Sequence, residues 1–259
     1  MTGVTIGIGP LYKKAATVAA ECLLRHTGIQ TRILTEDYFT DALLCHPAAL
    51  KLRIFDCVPA DTLLYFDADW FCIRKWTPQV FAGHKRVIAC HDFVTTTDWP
   101  DQSYNASSEW FRGREDHRFL NAIEEPIRME YVDEIHAFTG VTLHYSTWFN
   151  SGMFIVNRRC HAAWLREAER IYREPGGHHD KYFEQPALLM ATERMGMRVA
   201  HLPRKFNVLV ASKREWPTNM VGAHIKCSKP TVLPHLISDI LHDRASPESV
   251  ASALLTIST

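Results

Sequence analysis

Two short apolar runs, Thr62 to Asp67 (TLLYFD) and Arg86 to Cys90 (RVIAC), set the strongest limit on what this chain can fold into. Neither alternates polar with apolar residues. Each therefore reads as a strand buried on both faces, and such strands need helices above and below a largely parallel sheet. Val4 to Ile8 is a β-branched run closed by Gly9-Pro10, and Lys13 to His26 carries small and apolar residues at helical spacing until Gly28 stops it. Gln30 to Leu34 reads as the next strand, and Pro47 to Cys57 as a helix with Pro47 in its first turn, where a missing amide proton does no harm. Further on, Trp148 to Val156 has strand character, His161 to Arg173 is helical, and another helix runs to Met195. Val199 to Leu202 is a short strand, and Pro247 to Leu255 a small helix with Ser246 as its cap. This alternation of strands and helices predicts an α/β fold with a mostly parallel central sheet flanked by helices.

The first of those runs ends in two carboxylates one residue apart, Asp67-Ala68-Asp69. In extended backbone, side chains i and i+2 point the same way, so Asp67 and Asp69 are expected to face one crevice. In open α/β sheets the ligand crevice lies beyond the carboxyl ends of the strands, where this pair falls. Two anions so close repel each other unless a cation lies between them. A hard divalent ion such as Mn²⁺ or Mg²⁺ takes oxygen ligands and leaves positions for phosphate oxygens.

Charge and composition narrow the partners. Twenty-nine Lys and Arg balance twenty-nine Asp and Glu, so the chain has no overall field to draw it to nucleic acid or an anionic membrane. With 46% hydrophobic and 22% charged residues among 259, the chain can bury a core and is short enough for one large α/β domain spanning 1–259. Seven scattered cysteines without a CxxC pair argue against a disulfide framework and a structural zinc site, and predict a reducing, cytoplasmic setting. The N-terminus leads straight into a strand rather than a secretory signal, and no run approaches the ~20 apolar residues of a membrane span.

Five blocks, in order, carry a resemblance. Lys51-Leu52 followed by TLLYFDADWFCIRKW, then Phe149-Asn150-Ser151-Gly152-Met153-Phe154-Ile155-Val156-Asn157, then Glu184-Gln185-Pro186-Ala187-Leu188, then Leu202-Pro203 through Phe206-Asn207, and last His224 through Lys229-Pro230 are similar to the motifs of glycosyltransferase family 8. That family has the GT-A fold and includes glycogenin and the bacterial lipopolysaccharide galactosyltransferases. The resemblance spans the chain from the first strand to about Pro230. It implies transfer of a hexose from a nucleotide-diphosphate sugar, UDP-linked in the family, to a saccharide or other hydroxyl acceptor, with retention of configuration.

The resemblance also implies roles. Asp67, Asp69 and His224 would bind Mn²⁺ or Mg²⁺, and the donor would lie against Ile8, Gly9, Tyr12, Lys51, Asp67, Ala68, Asp69, Ser151 and Lys229. Asn150, Glu184 and Gln185 match positions that surround the transferred sugar and are the candidate catalytic residues. Tyr12 either stacks on the base or packs as part of the first helix. The last block departs from the family: Cys227 stands where the family has glycine and the lysine comes one residue early, so Lys226 or Lys213 are alternatives to Lys229 at the diphosphate. Glu184 replaces the family's aspartate.

The stretch from Asp92 to Tyr145 breaks the strand and helix rhythm and reads as an insertion on the acceptor side. Its Trp99, Tyr104, Trp110, Phe111, Tyr131 and Tyr145 suit either stacking on sugar rings or ordinary packing. Residues 231–259 read as a helical tail. Two rival readings are a nucleotidyltransferase, which should carry a basic, glycine-rich loop after the first strand, and a nucleotide-sugar-binding protein without turnover, which has no need of Asp67, Asp69 and His224 together.

Overall fold

The structure is a computed structural model, and it describes residues 1–39, 46–90, 137, 140, 147–174, 183–210, 219–225 and 233–256. The strands are β1 (Thr2–Ile6), β2 (Thr31–Leu34), β3 (Thr62–Phe66), β4 (Trp70–Cys72), β5 (Val87–Cys90), β6 (Met153–Asn157), β7 (Val199–Leu202), β8 (Val208–Val210) and β9 (Gly222–Ile225). The α-helices are α1 (Pro10–Thr27), α2 (Ile54–Cys57), α3 (Arg158–Arg173), α4 (Gln185–Arg194), α5 (Pro234–Leu241) and α6 (Pro247–Thr256).

A six-stranded sheet runs in the order β2-β1-β3-β6-β5-β7. β1 pairs parallel with β2 and β3, and β5 parallel with β7, while β6 runs antiparallel to both β3 and β5. The sheet is therefore mostly parallel, with one reversed strand at its centre. That reversal matters for the site, because it puts the start of β6 beside the end of β3: Phe66 lies opposite Met153, and the Asp67 N–H donates to the Gly152 carbonyl at 2.8 Å.

The central strands are buried on both faces, as their unbroken apolar runs require. Leu63 and Tyr65 of β3, Phe154 and Val156 of β6, and Val87 and Ala89 of β5 join one apolar cluster, with residues of the 47–58 segment, α3 and α4. The intervening Leu64 and Phe66, Met153 and Ile155, and Ile88 and Cys90 join the other, with α1, α5 and α6. Helix α1 starts at Pro10 and stops at Gly28, whose left-handed φ of 73° lets its N–H close on the Leu24 carbonyl. Helix α6 is capped as expected: the Ser249 N–H donates to Ser246 Oγ at 3.2 Å.

Two expected elements differ, and one sheet was not foreseen. Pro47 to Cys57 is not one α-helix but a 3-10 helix, Pro47–Arg53, followed by the single turn of α2. The strand expected from Trp148 begins only at Met153, since residues 148–150 are irregular and 151–152 make a turn. A second sheet, β4-β9-β8, was not expected at all, because its strands are three or four residues long. The insertion expected over residues 92–145 lies outside the described residues, apart from residues 137 and 140.

Candidate active site

Beyond the carboxyl end of β3, the chain makes a tight turn in which the Trp70 N–H donates to the Asp67 carbonyl at 2.9 Å. Asp67 and Asp69 therefore do not share a face by strand alternation, as extended geometry predicted. They converge because the turn folds Asp69 back toward the strand it leaves. β4 follows at once, and its pairing with β9 sets Trp70 opposite His224. The Ile225 N–H also donates to the Asp69 carbonyl at 2.8 Å. The small sheet thus brings His224 to the two carboxylates from more than 150 residues away in sequence.

His224 Nε2 lies 3.1 Å from Asp69 Oδ1 and 3.6 Å from Asp67 Oδ2. One ligand atom from each of Asp67, Asp69 and His224 falls within 4.8 Å of the other two. Burial disfavours the imidazolium, yet Asp69 and Asp67 outweigh it and the His224 pKa is raised. His224 Nδ1 is buried without a hydrogen-bond partner, so the ring's polar contacts run through Nε2. Two carboxylates with one imidazole nitrogen between them form a donor set that fits a divalent cation in place of the imidazolium proton.

Asp67 also belongs to a second group. Its Oδ1 accepts from Tyr65 Oη at 2.7 Å and lies 2.9 Å from Lys51 Nζ. Lys51 Nζ in turn donates to Glu184 Oε1 at 2.6 Å and lies 3.4 Å from Ser151 Oγ. Ser151 Oγ is 2.9 Å from Glu184 Oε1 and 3.0 Å from Gln185 Oε1, and the Ser151 N–H donates to the same Gln185 oxygen at 3.2 Å. Burial works against the Lys51 charge, but Asp67 and Glu184 prevail and its pKa is raised. Burial likewise opposes ionisation of Asp67, and Lys51, His224 and the Tyr65 hydroxyl reverse it, so its pKa is lowered. Burial, then Asp67, pushes the Tyr65 phenol well above its ordinary value, so it stays a donor.

The structure thus gathers Lys51, Asp67, Ser151, Glu184 and Gln185 into one network, joined through Asp67 to Asp69 and His224. Lys51 is only 4% exposed, and its ammonium is held by protein carboxylates. Asn150 Oδ1 accepts from the Gly152 N–H at 2.8 Å and from Asn207 Nδ2 at 2.9 Å. Ile8, Gly9 and Tyr12 lie at the carboxyl end of β1, next to β3; the Gly9 N–H donates to Glu36 Oε1 at 3.0 Å, and Tyr12 is half-buried against the α1 side of the core. Lys229, Lys226 and Lys213 lie outside the described residues. Tyr65 escapes a reading of the sequence because it looks like strand core; the signal was a hydroxyl in a fully buried run, which needs a partner.

No sequence-family model matches the chain, and no curated protein matches it either. Solved structures do. The galactosyltransferase LgtC, crystallised with donor and acceptor sugar analogs, is 12% identical over 98% of this chain and 100% of its own, with a TM-score of 0.52. The bifunctional glycosyltransferase WbbM is 12% identical over 98% of this chain and 51% of its own, with a TM-score of 0.55. The glycosyltransferase GlyE of Streptococcus pneumoniae is 11% identical over 98% of this chain and 64% of its own, with a TM-score of 0.54. The chain has the GT-A glycosyltransferase fold, as its sequence motifs implied.

Proposed function

We propose that this chain is a metal-dependent glycosyltransferase that moves a hexose from a UDP-linked donor to a hydroxyl of a saccharide acceptor, with retention. The observation that carries the reading is the convergence of Asp67, Asp69 and His224 at the carboxyl end of β3 in a GT-A fold. Mn²⁺ is the ion we assign, because Mg²⁺ strongly prefers oxygen ligands and one donor here is an imidazole nitrogen. When bound, such an ion supplies positive charge for the diphosphate as it leaves.

In the reaction, the bond from the anomeric carbon to the β-phosphate oxygen breaks and its electron pair stays with the diphosphate. The acceptor oxygen bonds to the same carbon from the face being vacated, and its proton passes to the leaving phosphate oxygen, the nearest base there. Glu184, Gln185 and Asn150 are assigned to the hydroxyls of the transferred sugar. Lys51 and Ser151 hold Glu184 in one position, which keeps that contact ready before the donor arrives. The carboxyl end of β1, with Ile8, Gly9 and Tyr12, is assigned to the nucleoside, and Lys229 to the diphosphate. A cytoplasmic setting is supported by the free thiols of Cys22, Cys57, Cys72, Cys90 and Cys160. Among the described residues, no helix is long and apolar enough to cross a membrane.

Calorimetric titration with UDP, with and without Mn²⁺ and with CDP and GDP as controls, tests the reading. Binding of UDP that requires Mn²⁺ in the parent protein and is lost in Asp69→Asn is the expected result. A folded parent that binds none of the three diphosphates would overturn it.

A further inference from the structure

We propose that Tyr65 is a positioning residue for the metal centre: its hydroxyl, with the Lys51 ammonium, fixes one oxygen of Asp67 so that the other alone is presented to the ion. The proposal rests on the metal-dependent reading of the same site.

A free aspartate turns easily about its last side-chain torsion, which is broad and two-fold, so either oxygen or both can face a cation. Here that freedom is removed. Asp67 Oδ1 takes the Tyr65 hydroxyl at 2.7 Å and the Lys51 ammonium at 2.9 Å, and Oδ2 is left facing His224 Nε2 at 3.6 Å. The post that holds it is rigid. Tyr65 is 1% exposed in β3, with its ring stacked on Phe154 at a centroid distance of 5.0 Å and an interplanar angle of 25°. Lys51 Nζ lies 5.2 Å from the centre of the same ring. One side chain therefore braces both groups that hold Oδ1, by its hydroxyl and by its face. Groups that orient a metal ligand without touching the ion commonly contribute ten- to a hundred-fold in affinity, roughly.

Tyr65→Phe keeps the ring, the Phe154 stack and the Lys51 contact and removes only the hydroxyl. Mn²⁺ binding is followed by the electron paramagnetic resonance of the free ion, without nucleotide, so the readout is independent of turnover. The Mn²⁺ Kd is expected to rise about tenfold. The melting temperature should move by less than about 4 °C, the scale of one hydrogen bond. Incorporation of 4-aminophenylalanine at position 65, which restores a donor at the same place, is expected to recover most of the affinity. A folded Tyr65→Phe that binds Mn²⁺ within twofold of the parent would overturn the role of Tyr65 and leave the metal reading intact. A parent that binds no Mn²⁺ would overturn both. If Tyr65→Phe does not fold, 4-fluorophenylalanine at position 65, which keeps the ring and fills the space but has no donor, takes its place: a Mn²⁺ Kd about tenfold higher supports the proposal, and one within twofold of the parent overturns it.

Discussion

At position 152 the absence of a side chain is a condition of the Asp67, Asp69 and His224 cluster. A Cβ built on Gly152 would lie 2.6 Å from His224 Cε1 and 2.7 Å from both His224 Nδ1 and Asn150 Oδ1, closer than real Cβ atoms come. The backbone there is fixed by the Asp67 N–H on one side and the Asn150 amide on the other, so the imidazole has to give way. Gly152→Ala is expected to swing His224 off Asp69 and weaken Mn²⁺ binding by at least about tenfold, comparable to loss of an orienting contact, while the far-UV spectrum stays native. Calorimetry with Mn²⁺ alone checks it, and unchanged affinity would show that His224 is not a ligand. The residue types of this centre are legible in the sequence because carboxylates and histidine have few roles at a strand end. The space they occupy is not, because nothing in an FNSG string says which later residue will fill the gap above its glycine.

At the scale of elements, the site depends on joints between segments far apart in the chain. Lys51 sits in the 3-10 segment Pro47–Arg53 and ties it to the end of β3 through Asp67 and to the start of α4 through Glu184. Lys51→Met fills much the same volume but leaves the buried Glu184 and the half-buried Asp67 without the ammonium they share. Breaking a buried ion pair from one side costs roughly 3–5 kcal/mol, so urea unfolding should report a loss of that order. A loss under about 1 kcal/mol would mean that water reaches Asp67 and Glu184 and that the joint carries no stability. The order of the long elements could be read in advance, since β3, β5, α1 and α3 announce themselves by apolar runs or helical spacing. The small sheet could not: β4 and β8 have three residues each, too few for any periodicity, and they exist because Trp70 packs in the core with its Nε1–H on the Phe206 carbonyl at 3.0 Å. That unannounced sheet is also what returns His224 to Asp69.

For the molecule as a whole, the histidines set how stability should follow pH. Burial lowers the pKa of His201 to about 4; its Nε2–H donates to the Trp148 carbonyl at 3.0 Å, which only partly offsets that effect. Burial also lowers the pKa values of His26, His46 and His161. In the unfolded chain each takes up its proton near pH 6.5, roughly the free value. Between that pH and the folded pKa the unfolded state holds more protons, so these groups destabilise the fold as pH falls. His201 alone then contributes a loss of about 2 kcal/mol on going from pH 7 to pH 5, at 1.4 kcal/mol per unit below 6.5. His224 has the opposite sign when no metal is bound: its raised pKa stabilises the fold at low pH and the effect fades as pH rises through the folded value. Among the described histidines, four depressed groups oppose one raised group, so urea unfolding of the metal-free protein should give a lower free energy at pH 5 than at pH 7. His201→Gln, which retains an N–H donor and has no charge to acquire, should flatten that slope. A free energy that instead rose toward pH 5 would mean that the pairing of His224 with Asp67 and Asp69 dominates the proton balance of the whole fold.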